Sequence, residues 1–399
     1  MNDSGDSSGA GPSKKGNWTI LAGAVLLLAA LAAPHLLTAK ESTSASGSRP
    51  VAPIATTTAT GRSWQSYEYR GVAIQLPSSD TASGFEQFVE EIAATGANTI
   101  CLSVAAYQEN AASSSIFIDQ RRTPSPDYLD RIIAAARAKG MRITFMPIVL
   151  LENPGSGEWR GLIKPHDPAI WWESYENYIL HFAKIAQANH LEMFMVGSEL
   201  VSLEDETERW KTLIAKVRKV YSGTLSYSAN WDHYKNIQYW SDLDVVGMTT
   251  YHDLCGEKKP GMEVLLDTWK PIKKEILDWQ KTVGRPILFT EVGWPNLESA
   301  AKEPWNYVKD AKSDPELQAR CFDAFFRTWE NEKAVAGLFV WEWRNYPGLV
   351  GGPTETSYYP GGKPAMEIIK HWFKRMNEIL PPASAAATAT SAPATTVSH

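Results

Sequence analysis

Short apolar, strand-like runs recur eight times along this chain, with helical sequence set between them. Gly71–Gln75, Thr99–Val104, Arg142–Leu150, Met193–Glu199, Thr224–Asn230, Val245–Tyr251, Ile287–Glu291 and Ala336–Trp343 have the length and β-favouring content of strands. Helical spacing fills 83–95, 128–139, 171–188, 204–221, 263–282, 315–330 and 364–377. Phe85, Phe88, Val89 and Ile92 show it directly, and Gly96 and Gly140 stand as helix stops. Eight strands each followed by helical sequence is the count of an α/β chain closed into a (β/α)8 TIM barrel. The spacing is too uneven for a solenoid.

Two of these runs end in the same way. Ile287-Leu288-Phe289-Thr290 leads into Glu291, and Met193-Phe194-Met195-Val196-Gly197-Ser198 leads into Glu199. Alternation puts Ile287, Phe289 and Glu291 on one face, and Met193, Met195, Gly197 and Glu199 on one face of the other. A charge closing an apolar face is costly unless it is paired or working. In a barrel, working groups gather at the C-terminal strand ends, because the loops there converge on one mouth. A lone Glu at such a tip is most often a cap or a solvated charge. Two of them, on the fourth and seventh strands, fit glycoside hydrolysis, where one carboxylic acid protonates the leaving oxygen and another carboxylate acts at the sugar.

The other strand tips supply candidate partners. Strand five ends in Asn230-Trp231-Asp232, strand six in Tyr251-His252-Asp253, and strand eight in Trp341-Glu342-Trp343; Trp294 follows Glu291. A hydrogen bond from Tyr251 to Glu291 would favour the ionised carboxylate. Trp341 and Trp343 share a face by alternation, with Glu342 on the other, so they read either as a sugar platform or as an aromatic core layer around a structural acid. The substrate-binding candidates are therefore Asn230, Tyr251, Trp294, Trp341 and Trp343, together with Trp159 and Ser198. No phosphate-binding loop, metal-spaced His cluster or nucleophile-elbow serine stands in the chain, so no cofactor and no metal are expected.

The flanks read differently. Residues 1–17 are rich in Gly, Ser and Asp and carry Lys14-Lys15. Residues 18–39 form an apolar run long enough to span a bilayer, as a transmembrane anchor or signal segment. Lysines on its N-terminal side would keep that end in the cytoplasm and deliver the barrel outside, membrane-anchored or secreted. Residues 40–63 and 381–399 are low-complexity Ser/Thr/Ala/Pro sequence expected to be disordered. That leaves 64–380 for the barrel. A net charge of −6 offers nothing to nucleic acid, and the 16 tryptophans would suit either sugar stacking or a Trp-rich core. Cys101, Cys255 and Cys321 are too few and too scattered for a disulfide framework; Cys101 reads as strand core.

Trp159-Arg160-Gly161, Val196-Gly197-Ser198-Glu199-Leu200, Ala229-Asn230-Trp231-Asp232, Phe289-Thr290-Glu291-Val292-Gly293 and Gly362-Lys363-Pro364-Ala365 occur in that order. Together they resemble clan A glycoside hydrolases, and more narrowly glycoside hydrolase family 113, over most of residues 70–376. The resemblance implies a retaining enzyme on β-linked sugars, with Glu199 as acid/base and Glu291 as nucleophile. Characterised members of that family act on β-mannan. Ser198 stands where clan A commonly has an Asn that contacts the sugar 2-hydroxyl.

The leading expectation is a retaining glycosidase acting on a polysaccharide or oligosaccharide. A transglycosidase that remodels a surface polysaccharide would keep the same pair of acids. A catalytically silent sugar-binding barrel would keep the Trp rim but would not need intact Glu199 and Glu291.

Overall fold

A computed structural model describes residues 64–76, 84–256, 258, 260–346 and 348–379. The segments at 1–17, 18–39, 40–63 and 381–399 lie outside the described residues. Among those described, no helix is long and apolar enough to cross a membrane.

Eight parallel strands close into a barrel in chain order. They are β1 (Tyr69–Gln75), β2 (Thr99–Gln108), β3 (Arg142–Leu151), β4 (Met193–Ser198), β5 (Thr224–Ala229), β6 (Val246–Thr249), β7 (Ile287–Val292) and β8 (Val335–Val340). The seam is made by β1 against β8, with Tyr69 beside Gly337 and Val72 beside Val340. Among the described residues, seven α-helices pack outside: α1 (Phe85–Ala93), α2 (Pro126–Ala138), α3 (Pro168–Ala188), α4 (Thr207–Val220), α5 (Met262–Val283), α6 (Pro315–Trp329) and α7 (Pro364–Ile379). The expected helix after every strand is corrected at one place. Only a 3-10 turn, Trp240–Asp242, lies between β5 and β6. There Tyr239 and Trp240 fill the space instead, with Tyr239 stacked on Trp210 of α4 at 5.2 Å.

Helix boundaries follow local chemistry. Asp167 caps α3 by accepting from the N–H groups of Ala169 and Ile170, and Pro168 occupies the first turn, where no N–H is needed. Asp314 and Pro315 do the same for α6. Gly284 closes α5 in the left-handed conformation that a β-carbon disfavours.

Two cores result. The larger lies between strands and helices and takes most of the aromatic volume; Trp171, Trp210, Trp269, Trp294 and Trp329 are all fully buried. Much of the tryptophan excess is therefore packing, each aromatic pair adding about 0.5–1.5 kcal/mol beyond its area. The smaller core fills the barrel with Ala73, Cys101, Met146, Met193, Met195 and Leu288, and ends upward in Tyr251, Trp341 and Tyr358. All three cysteines are buried.

Strict alternation fails at both acidic tips. On β7, Leu288 faces the barrel interior while Phe289 packs outward on Phe325 and Trp329, so Glu291 does not share a working face with Ile287 and Phe289. The register slips between Phe289 and Val292 against β8, and between Met248 and Thr249 against β6. An irregularity of this kind re-aims a side chain. On β4 the slip falls between Met195 and Ser198. A β-carbon on Gly197 would meet Tyr175 Oη at 2.4 Å and Trp210 at 3.1 Å, on the helix side, so Gly197 leaves the face of Met193 and Met195. That close approach by three aromatic rings is why glycine stands there.

Candidate active site

Glu199 follows the last residue of β4 and adopts a left-handed backbone, φ 50°. Its N–H donates to Ser228 O of β5 at 2.8 Å, and the next N–H, of Leu200, donates to Tyr227 Oη at 2.8 Å. The turn delivers the carboxylate to Arg160, whose Nη2 donates to Glu199 Oε2 at 2.5 Å. Arg160 comes from a 3-10 turn, Arg160–Leu162, in the β3–α3 loop. Both side chains are almost wholly buried.

Glu291, at the end of β7, is 2% exposed. Tyr251 Oη donates to its Oε2 at 2.6 Å, and Thr250 Oγ1 donates to its backbone carbonyl at 3.0 Å. Its other oxygen, Oε1, is buried with no partner. A third acid stands near: Glu342, just past β8, accepts from Gln75 Nε2 of β1 at 2.8 Å.

Burial raises the pKa of all three acids, because the charged form loses its water. Glu342 is brought to about 7 this way, against the Gln75 hydrogen bond that lowers it. Glu199 is raised by burial, with Arg160 and a hydrogen bond from Thr249 acting the other way. Glu291 is raised by burial and then by the charge of Glu199, while Arg160 and Tyr251 pull it down. Two interacting buried carboxyls beside one guanidinium titrate as a pair. One acid and one carboxylate is the division that glycosidic chemistry asks for.

The model of glycoside hydrolase family 113 matches residues 78–359. This chain belongs to glycoside hydrolase family 113. It is a glycosidase, and its barrel is the clan A arrangement. A solved family 113 β-1,4-mannanase is similar over 77% of this chain and 99% of its own, at 26% identity and TM-score 0.68. The family 113 β-mannanase of Alicyclobacillus acidocaldarius aligns over 80% and 100%, at 24% identity and TM-score 0.70. A β-glucuronidase of Ruminococcus gnavus shares the fold at 13% identity and TM-score 0.54, over 78% of this chain and 50% of its own. No curated protein gives a match.

Within this family 113 barrel the expected binding residues divide. Tyr251 touches Glu291. Ser198 is buried beside Glu199, with an unpartnered Oγ. Asn230 Oδ1 accepts from the Trp231 N–H at 3.0 Å and from Thr249 Oγ1 at 3.4 Å. Trp341 packs with Tyr251 and Tyr358 in the barrel core below the mouth. Trp159 is half-buried, next to Arg160, with its ring against Gly161.

Two tryptophans are corrected. Trp294 is fully buried against Phe322 and Phe325 of α6 and offers no face to a sugar. Trp343 does not share the face of Trp341; it packs in the outer core on Tyr359, and its Nε1 donates to Glu91 of α1 at 3.3 Å. β8 ends at Val340, so the period of two no longer applies at these positions.

Several site residues carried no assigned role in the sequence. Arg160 stood inside a family-like motif, yet nothing local tied it to Glu199, 39 residues on. Gln75 and Glu342 meet only because β1 and β8 close the barrel. Tyr358 reaches the site from the loop after β8, its ring tilted against Tyr251 at 6.1 Å and Tyr307 at 5.7 Å. Trp231 lies near-parallel to Trp305 at 6.1 Å on another loop.

Proposed function

We propose that this chain is a retaining glycoside hydrolase of β-mannan or a related β-1,4-glycan, with Glu291 as nucleophile and Glu199 as acid/base. The observation that carries the reading is the unlike anchoring of two buried carboxylates at the β4 and β7 tips. Glu291 is held by Tyr251 through one oxygen and keeps the other unpartnered, as an attacking atom requires. Glu199 is held by Arg160, which stabilises the anion left once the proton has been given to the leaving oxygen. The family 113 mannanases among the similar structures support the substrate class.

In the first step a carboxylate oxygen of Glu291 bonds to the anomeric carbon as the glycosidic C–O bond breaks, and the Glu199 proton goes to the leaving oxygen. Glu199 is then an anion, and Arg160 stabilises it. Glu291 has become a neutral ester, so no anion stands against a charged Glu199, and with Arg160 beside it Glu199 stays a carboxylate able to act as base. It takes a proton from water, whose oxygen bonds to the anomeric carbon and releases Glu291. The anomeric configuration is inverted twice and so retained.

The first product formed from a β-manno-oligosaccharide, followed by NMR, should carry the β configuration. Glu199→Ala should still form the glycosyl ester from a substrate with a good leaving group, and azide should rescue its turnover. An α-configured first product would overturn the mechanism. Absence of turnover on mannan, alongside turnover of another β-glycan, would move the substrate class alone. We also propose that residues 18–39 deliver the barrel outside the cytoplasm, on the strength of Lys14 and Lys15 preceding an apolar run.

A further inference from the structure

Glu204 is a deeply buried acid that the double displacement leaves without a role. Glu204 is 2% exposed and lies in the β4–α4 loop, five residues past Glu199. Its Oε1 accepts from Tyr227 Oη at 2.8 Å. Tyr227 is a β5 residue that faces away from the barrel interior, among Trp210, Tyr239 and Trp240. The same hydroxyl accepts the Leu200 N–H, the peptide that immediately follows Glu199. A phenol has one proton to give, and here it goes to Glu204 while a lone pair takes the amide. The chain therefore runs Leu200 N–H to Tyr227 Oη–H to Glu204 Oε1, behind the barrel wall.

That chain bears on the turn that aims the acid/base. Glu199 is one of three non-glycine residues with positive φ among those described. Such a backbone persists only where its surroundings hold it. Two bonds hold this one: Glu199 N–H to Ser228 O on the near side, and Leu200 N–H to Tyr227 Oη on the far side. The first needs only the β-sheet. The second depends on Tyr227, whose hydroxyl is tied in turn to Glu204. We propose that Tyr227 and Glu204 are positioning residues for Glu199, bracing its left-handed turn through the Leu200 amide so that its carboxyl meets the leaving oxygen. This rests on Glu199 being the acid/base.

The role predicted for Glu204 is acceptance of a hydrogen bond, not charge. Its Oε2 is buried without a hydrogen-bond partner, with His233 Nδ1 at 3.7 Å. Burial keeps it protonated, its pKa lifted to about 8. An amide in its place keeps the acceptor and should keep the brace.

The test compares two aryl β-glycosides, one with a good leaving group and one with a poor one, in the full chain. Glycosylation needs Glu199 only for the poor leaving group. Tyr227→Phe and Glu204→Ala should lower kcat on the poor substrate about a hundredfold, the cost of an ångström of misplacement. The burst of the good leaving group should change by less than about threefold, because that step scarcely uses the acid. Glu204→Gln should behave as wild type on both. Equal losses on both substrates would mark a merely structural role and overturn the proposal. So would Glu204→Gln falling with Glu204→Ala, which would make charge the operative property. If Tyr227→Phe fails to fold, the two Glu204 variants decide alone. Wild-type inactivity on every glycoside would instead sink the functional reading, and this proposal with it.

Discussion

Arg160 Nη2 sits 2.5 Å from Glu199 Oε2, and both side chains are sealed from solvent. The pair ties the β3–α3 loop to the β4 tip. The charge of Arg160 is felt by both Glu199 and Glu291. Arg160→Ala should therefore raise the pKa of both acids, since a nearby cation that favours their charged forms is gone. Both limbs of the kcat/KM profile should move to higher pH. Stability should drop by about 3 kcal/mol, as when one partner of a buried pair is deleted. A pH-rate series with chemical denaturation checks both, and an unmoved alkaline limb would show that Arg160 does not govern the acid.

Tyr251 acts on one acid only. Tyr251→Phe removes the 2.6 Å hydrogen bond to Glu291 and leaves the Arg160–Glu199 pair untouched. The acid limb should shift up, because Glu291 then ionises less readily, and the alkaline limb should stay. Loss of a hydrogen bond to a charged group predicts a fall of about ten- to a hundredfold in kcat/KM at the optimum. Matched shifts of both limbs would contradict this division of labour.

Gly197→Ala should be poorly tolerated. Its β-carbon would approach Tyr175 Oη to 2.4 Å and the Tyr227 ring to 3.0 Å. Overpacking of this kind costs about 1–3 kcal/mol. Activity should fall too, because Tyr227 would be displaced from Leu200. Thermal unfolding and kcat measured together will show whether the two losses track.

Glu204 has a stability signature. Its folded pKa, about 8, lies above the usual carboxyl value of 4.5. The folded chain then binds more protons than the unfolded one between those values. Glu204 contributes fully below pH 4.5, and its contribution is lost as pH rises toward and through 8. Glu204→Gln cannot ionise, so it should flatten the decline in stability between pH 5 and 8, by a few kcal/mol at the upper end. Unfolding midpoints of both proteins across that range test it; parallel curves would show that Glu204 is not the group responsible.

The orientation proposed for residues 18–39 predicts that protease added to intact cells reaches the barrel. Protection until lysis would reverse it. The mass of the mature N-terminus separates a cleaved signal from a retained anchor.

Local pattern carried much of the architecture. Glycine stops at Gly96 and Gly140 and eight apolar runs sufficed for the barrel, because each depends on neighbours within a few residues. The candidate acids were legible for the same reason: a Glu closing an apolar strand is conspicuous in one dimension. The faces of those strands were not. Bulges at Met195–Ser198 and Phe289–Val292 overturn the period of two at the two tips that matter, and a bulge is set by register with the partner strand. The same limit hid Arg160 beside Glu199, Gln75 beside Glu342, and the path from Leu200 through Tyr227 to Glu204. It also put Trp294 and Trp343 among the substrate-binding candidates when packing buries both. The sequence by itself determined which elements form and which acids end them. Only closure of the barrel decided what each acid touches, because hydrogen bonds and charge act across space between residues that the chain keeps far apart.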